Sequence, residues 1–146
     1  MLATSTFVMI AVVSFMAPAA RGECPQMIKA AVEKSYPGAT NQTCKQEKQG
    51  GKTLYEVDLT TKTGGKVELD MAPDGTVLQV EEQVSLDTVP SAVLKAFKDK
   101  YPGVNASGAV KQTRPDGKVF FEIAFETGGT KKEATFAAGG AFVEEE

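Results

Sequence analysis

Tyr36-Pro37-Gly38 recurs as Tyr101-Pro102-Gly103, 65 residues further along the chain. The same offset pairs Pro25 with Pro90, Ile28 with Val93, Ala31 with Ala96 and Val32 with Phe97. Towards the far end it pairs Gly75 with Gly140, Val77 with Phe142 and Leu78 with Val143. Between these points Tyr55-Glu56-Val57 matches Phe121-Glu122-Ile123 with a slip of one residue, which a single change in loop length explains. Self-similarity at a fixed period marks one supersecondary unit used more than once. The expected organisation is a first module over residues 23–84 and a second over 85–146, preceded by a segment 1–22. A chain of 146 residues suits two half-size modules sharing a core.

Each module opens with a helical pattern. Ile28, Ala31, Val32 and Tyr36 fall at i, i+3, i+4 and i+8, and Val93, Ala96, Phe97 and Tyr101 repeat the spacing. Apolar residues at this period line one face of a helix. Pro25 and Pro90 suit a first helical turn, where a missing N–H is no loss. Pro37 and Pro102 suit its end, because proline pushes the preceding residue out of the α region. Strand patterns follow. Tyr55, Val57 and Leu59 alternate with Glu56, Asp58 and Thr60, and Val67, Leu69 and Met71 alternate with Lys66, Glu68 and Asp70. In the second module Val119, Phe121, Ile123 and Phe125 form the apolar set, continued by Ala134 and Phe136. Period 2 with one apolar face predicts half-buried antiparallel strands. More polar first strands are expected near residues 40–48 and 106–114. The fold class is therefore α+β: two tandem α-β-β-β-β modules, each with its helix packed on one face of an antiparallel sheet.

The segment Phe7 to Met16 is apolar apart from Ser14. It is too short to span a bilayer as a helix and suits the core of a signal peptide, although no Lys or Arg precedes it. Ala17-Pro18-Ala19 and Ala20-Arg21-Gly22 both fit a small-x-small cleavage rule. The expectation is a signal peptide over 1–22 and a periplasmic or secreted mature chain, with no membrane insertion after cleavage. Removing that segment deletes Arg21 and takes the net charge from −3 to −4. A mildly acidic chain does not hold nucleic acid by bulk charge. In an oxidising compartment the two cysteines, Cys24 and Cys44, read as a disulfide. At the repeat offset they map to Val89 and Ala109, an apolar pair suited to the same contact point. The alternative is two free buried thiols. Closing a loop of about 21 residues stabilises a fold by roughly 3 kcal/mol in the chain-entropy picture.

The chain contains no histidine, which removes His-based triads and His-ligated zinc or haem. There is no P-loop and no dinucleotide fingerprint. Asp70 to Glu81 partly fits a calcium loop, but Ala72 offers no oxygen at the third position and the flanks alternate as strands. A hairpin turning at Pro73-Asp74-Gly75 explains these residues better. The reading is of a non-enzyme with no cofactor and no resident metal.

The runs Y-P-G-A, L-Y-E-V-D-L and V-E-L-D-M-A-P-D-G-T-V-L-Q-V-E-E, with V-L-K-A-F-K-D-K-Y-P-G, F-F-E-I-A-F and F-A-A-G-G-A-F-V-E-E-E in the second half, resemble the PepSY-like, β-lactamase-inhibitor-like group of exported bacterial proteins. The resemblance covers nearly all of residues 25–146. It implies a helix over a four-stranded sheet per module, with two modules side by side forming one continuous sheet. It also implies that the uncovered face grips another protein, in a group associated with restraining peptidases or β-lactamases. It carries no catalytic motif.

If the helices cover one face, the other presents Leu54, Glu56, Asp58, Lys66, Glu68, Asp70 and Val77 in the first module. The second adds Phe120, Glu122, Ala124, Glu126, Lys131, Glu133 and Phe142. Aromatic side chains amid carboxylates suggest a contact patch with anchors and a polar surround. Phe120, Phe142, Glu122, Leu54, Glu56 and Val77 are the candidate partner-binding residues. The competing reading has the two rings filling the seam between modules or standing as lone surface aromatics. The partner expected is another extracytoplasmic protein. The alternatives are a small-ligand or divalent-metal-binding protein, or a propeptide-like structural or folding-aid module.

Overall fold

A computed structural model describes residues 22–146. The signal-peptide reading falls on residues outside that range, apart from Gly22. The element order is α1 (Gln26–Ser35), β1 (Thr40–Gln49), β2 (Lys52–Thr60), β3 (Lys66–Met71), β4 (Val77–Val84), a single 3-10 turn (Leu86–Thr88), α2 (Ser91–Lys100), β5 (Ala106–Thr113), β6 (Val119–Thr127), β7 (Thr130–Ala137) and β8 (Phe142–Glu145). The order α-β-β-β-β thus occurs twice. All eight strands form one sheet in sequence order, every neighbouring pair antiparallel. The join between halves is the β4–β5 pairing, in which Glu81 faces Gln112 and Gln83 faces Val110. The lateral margins are β1 and β8. Gly22 pairs with Cys44 on the outer side of β1, and among the described residues no strand lies beyond β8.

Both helices end as their prolines dictate. Tyr36 and Tyr101 leave the α region, with φ of −131° and −123°, while their N–H groups still donate to Val32 and Phe97. Pro25 and Pro90 stand at the N-cap positions in extended conformation, ψ 150° and 138°.

One face of the sheet is apolar and carries the core in two clusters. Ile28 and Val32 of α1 share the first with Val57, Leu59, Val67, Leu69 and Met71. Val93 and Phe97 of α2 share the second with Phe121, Ile123, Phe125, Ala134 and Phe136. Each large side chain taken out of water here is worth roughly 1.5–3 kcal/mol. Phe97 meets Phe125 at 5.4 Å between ring centres, and Tyr101 meets Phe125 at 4.5 Å. Cys24 and Cys44 are joined by a disulfide within the first cluster, while Val89 and Ala109 are buried in the second. The covalent bridge in one half is thus matched by an apolar contact in the other.

Two hairpin turns abut the helices. Gly75 (φ +88°) and Gly140 (φ +92°) close the β3–β4 and β7–β8 connections. A Cβ on Gly75 would stand 3.1 Å from Ala31 Cβ and 3.2 Å from the Met27 carbonyl oxygen; one on Gly140 would stand 2.7 Å from the Ala92 carbonyl oxygen. Only glycine combines that dihedral with that approach. Each turn leads into a β-bulge. Asp70 faces Gln79 but Met71 faces Val77, leaving Leu78 as the extra residue; Thr135 faces Glu144 but Phe136 faces Phe142, leaving Val143 as the extra residue.

Candidate functional site: the uncovered sheet face

Residues directly opposite one another in an antiparallel pair share a face, so the register assigns the side away from the cores. One row across it runs Thr43, Asp58, Glu68, Glu81, Gln112, Phe120 and Ala137, strand by strand from β1 to β7. The next row contains Gln83, Val110, Glu122, Thr135 and Glu144 on β4 to β8. A third joins Lys45, Glu56, Asp70 and Gln79 on β1 to β4. The face is continuous across both halves and dominated by carboxylates.

It is also hollowed. One depression of about 400 Å³ is lined by Asp58, Lys66, Glu68, Glu81, Gln83 and Val110 among others. A second of about 340 Å³ is lined by Gln83, Gly108, Val110, Glu122, Ala124 and Glu133 among others. They meet at Gln83 and Val110, on the β4–β5 join. The Gln112 side-chain amide crosses this join. It donates to Glu81 at 3.3 Å and to Glu122 at 3.1 Å, and is only 8% exposed despite lying on the uncovered side. Gln79 also donates to Glu81, at 2.7 Å.

Crowding shifts the carboxyl groups. Half-burial, then the neighbouring Glu56, Glu81, Asp58 and Asp70, push Glu68 up to about 7. Glu122 is pushed up to about 7 by burial and then by Glu133, Glu81, Glu146 and Glu144. Asp70 is raised for the same reasons, burial first and then Glu81, Glu56 and Glu47. Cations also stand on this face, Lys131 opposite Glu126 and Arg114 against Phe120 among them. Lys45 pairs with Glu47 and lies 3.6 Å from Glu56; Lys66 donates to Thr60 at 2.8 Å.

Of the six candidate residues, Phe120, Glu122, Leu54 and Glu56 lie on this face. Phe120 is half-buried, with the Arg114 guanidinium 4.3 Å from its ring centre, within cation–π range. Leu54 is 7% exposed and so offers little contact area. The assignment of Val77 and Phe142 to this face is corrected by the structure. The bulges set Val77 opposite Met71 and Phe142 opposite Phe136, both core residues, which turns the two side chains to the helix side. Val77 packs on the first core. Phe142 meets Phe136 edge-on at 5.7 Å and lies under Lys100 Nζ at 3.9 Å. Neither ring fills the seam, whose facing pairs contain no aromatic residue.

Sequence reasoning missed Glu81, Gln83, Val110 and Gln112. They belong to β4 and β5, whose mixed polar and apolar residues give no clean two-residue alternation. The usable signal was positional: once β4 and β5 are placed side by side, Glu81 and Gln112 take the phase of Glu68 and Glu122.

Among the described residues, no group of three or more His, Cys, Asp or Glu is arranged to hold a metal ion, and both cysteines are bonded. Asp70 and Glu81 stand on paired strands, not on the two sides of a calcium loop. No helix among the described residues is long and apolar enough to cross a membrane.

The fold matches that of a "putative periplasmic" protein from Bacteroides eggerthii at TM-score 0.71 and 19% identity, covering 86% of this chain and 89% of that one. It also matches a BLIP-like protein from Bacteroides fragilis at TM-score 0.63 and 26% identity, covering 91% and 88%. No curated protein matches in sequence. A family model described as "Putative beta-lactamase-inhibitor-like, PepSY-like" matches twice, over residues 20–79 and 74–144. With most of its length accounted for by two successive matches, the chain belongs to this PepSY-like family.

Proposed function

We propose that this chain is an exported, non-enzymatic binding protein that grips another extracytoplasmic protein with its uncovered sheet face and so restrains a hydrolase of the peptidase or β-lactamase type. The observation that carries this reading is the face itself: a hollowed surface running unbroken across β1–β8, with both helical cores on the other side. A sheet side without a covering layer is available to a partner, and Phe120, bordered by Gln112 and the Arg114 guanidinium, supplies an anchor with a polar surround. Family membership and the fold shared with a BLIP-like protein support the inhibitory sense. The apolar run Phe7 to Met16 and the bonded cysteines support export to a periplasmic or secreted location.

The test pairs binding with inhibition. The protein is immobilised, challenged with secreted peptidases and serine β-lactamases, and each retained enzyme is assayed for loss of turnover. Phe120→Ala is expected to weaken retention about tenfold or more, the loss typical of a truncated anchor. Phe142→Ala, on the helix side, is expected to leave retention unchanged. Equal loss from both substitutions, or retention of nothing at micromolar protein, would count decisively against the proposal.

A further inference from the structure

The two depressions on the uncovered face adjoin at Gln83 and Val110, where the halves join, and their lining has a chemistry of its own. Gly108 and Ala124 give the second depression a small, apolar floor, and Val110 lines both. A Cβ built on Gly108 would meet only the Ala124 methyl, at 3.9 Å, so the space above that glycine is open. The walls are carboxylates: Glu68 and Glu81 on the first side, Glu122 and Glu133 on the second. The cation lining the hollow, Lys66, is held to Thr60 at the end of β2. Volumes of about 400 and 340 Å³ fall in the range of ligand-sized sites.

From this shape and charge we infer that the trough at the β4–β5 join receives a lysine or arginine side chain carried on a protruding loop of the partner protein. The inference rests on the binding role proposed above and names the chemistry of what is bound. A long cationic side chain matches the trough in both its parts. Its methylene stem lies on the Val110 and Ala124 floor, and its charged head reaches the carboxylate walls. The entering charge also relieves the mutual repulsion of acids crowded on adjacent strands. A neutral side chain gains only the contact with the floor, an acidic one meets repulsion from the walls, and nucleic acid is repelled. The occupant is a protein loop and not a free amine because the trough is not an isolated pocket. It opens within the broad uncovered face, and Phe120 stands on β6 two residues from Glu122, placed to meet the loop's flanks.

The test uses the full chain and a fluorescein-labelled cyclic peptide displaying one arginine at the tip of a β-turn. A second peptide carries citrulline there, which keeps the shape and removes the charge. Anisotropy titrations at physiological salt are expected to show at least tenfold weaker binding of the citrulline peptide. The arginine peptide is expected to lose a similar factor against the Glu81→Gln/Glu122→Gln variant and against Gly108→Val, which fills the floor. Circular dichroism verifies that both variants are folded. Equal binding of the two peptides, no binding of either, or unchanged binding to both variants overturns the inference; so does spermine displacing the peptide at equal concentration, which would mark a site for amines in general. An enzyme retained by the wild type that is lost with Phe120→Ala but kept by Glu81→Gln/Glu122→Gln would leave the binding role standing and remove the trough from it.

Discussion

Glu68 and Glu122 sit half-buried among other carboxylates. Glu68 is faced by Glu56 and Asp58 on β2, Asp70 on its own strand and Glu81 on β4; Glu122 is faced by Glu81, Glu133, Glu144 and Glu146. Both carboxyls are pushed up to about 7 in the folded chain. The folded state therefore keeps protons that the unfolded chain releases. The stability these sites contribute is complete below about pH 4.5 and is lost as pH rises through about 7. Replacing both with glutamine is expected to stabilise the protein at pH 8 by roughly 1 kcal/mol per site, after allowing for solvent screening of half-exposed groups. The gain is expected to vanish at pH 4. Urea unfolding at the two pH values measures this, and a gain of equal size at both would show that charge is not its origin.

At the scale of single elements, the turns at Gly75 and Gly140 hold the hairpins against the helices. Gly140→Ala would bring a methyl to 2.7 Å from the Ala92 carbonyl oxygen at a φ that side chains rarely adopt. The expected cost is about 2 kcal/mol or more, read as a lowered denaturation midpoint. Gly117→Ala is the control. Its φ is also positive, at +79°, but nothing lies near the added Cβ, so the difference between the two variants isolates the contact with α2. The helices and the strands β2, β3, β6 and β7 were legible in the sequence, because the residues of each that meet the core, such as Val57, Leu59, Ile123 and Phe125, recur at the period of the element. β4 and β8 were legible as strands but not in phase. Leu78 and Val143 each insert one residue, and in a structure of period 2 one residue reverses the face. That is why Val77 and Phe142 left the expected contact patch. β5 was legible only through its polarity, and with it went the middle of the candidate site. Gln112 owes its importance to neighbours on two other strands, a relation that periodicity along one strand does not contain.

For the molecule as a whole, the two halves of the repeat are tied together along one line. Val84, the last residue of β4, packs on the second core although the repeat assigns it to the first half. The β4–β5 pairing, the Glu82–Lys111 contact at 3.5 Å and the Gln112 bridge between Glu81 and Glu122 all cross the same line. A fragment of residues 85–146 is expected to be unfolded or to self-associate, since it loses Val84 and bares the edge of β5. Sedimentation and circular dichroism of the fragment check this; a folded monomer would show that the halves are independent. The sheet has its own bare margin at β8, beyond which no strand lies among the described residues and in which Glu144 and Glu145 follow one another. Unsatisfied amides along such a border invite a second copy to zip on. Glu145 is paired with Lys132, so the like-charge repulsion that a second copy would meet comes from Glu144, and it guards the rim against growth into ribbons.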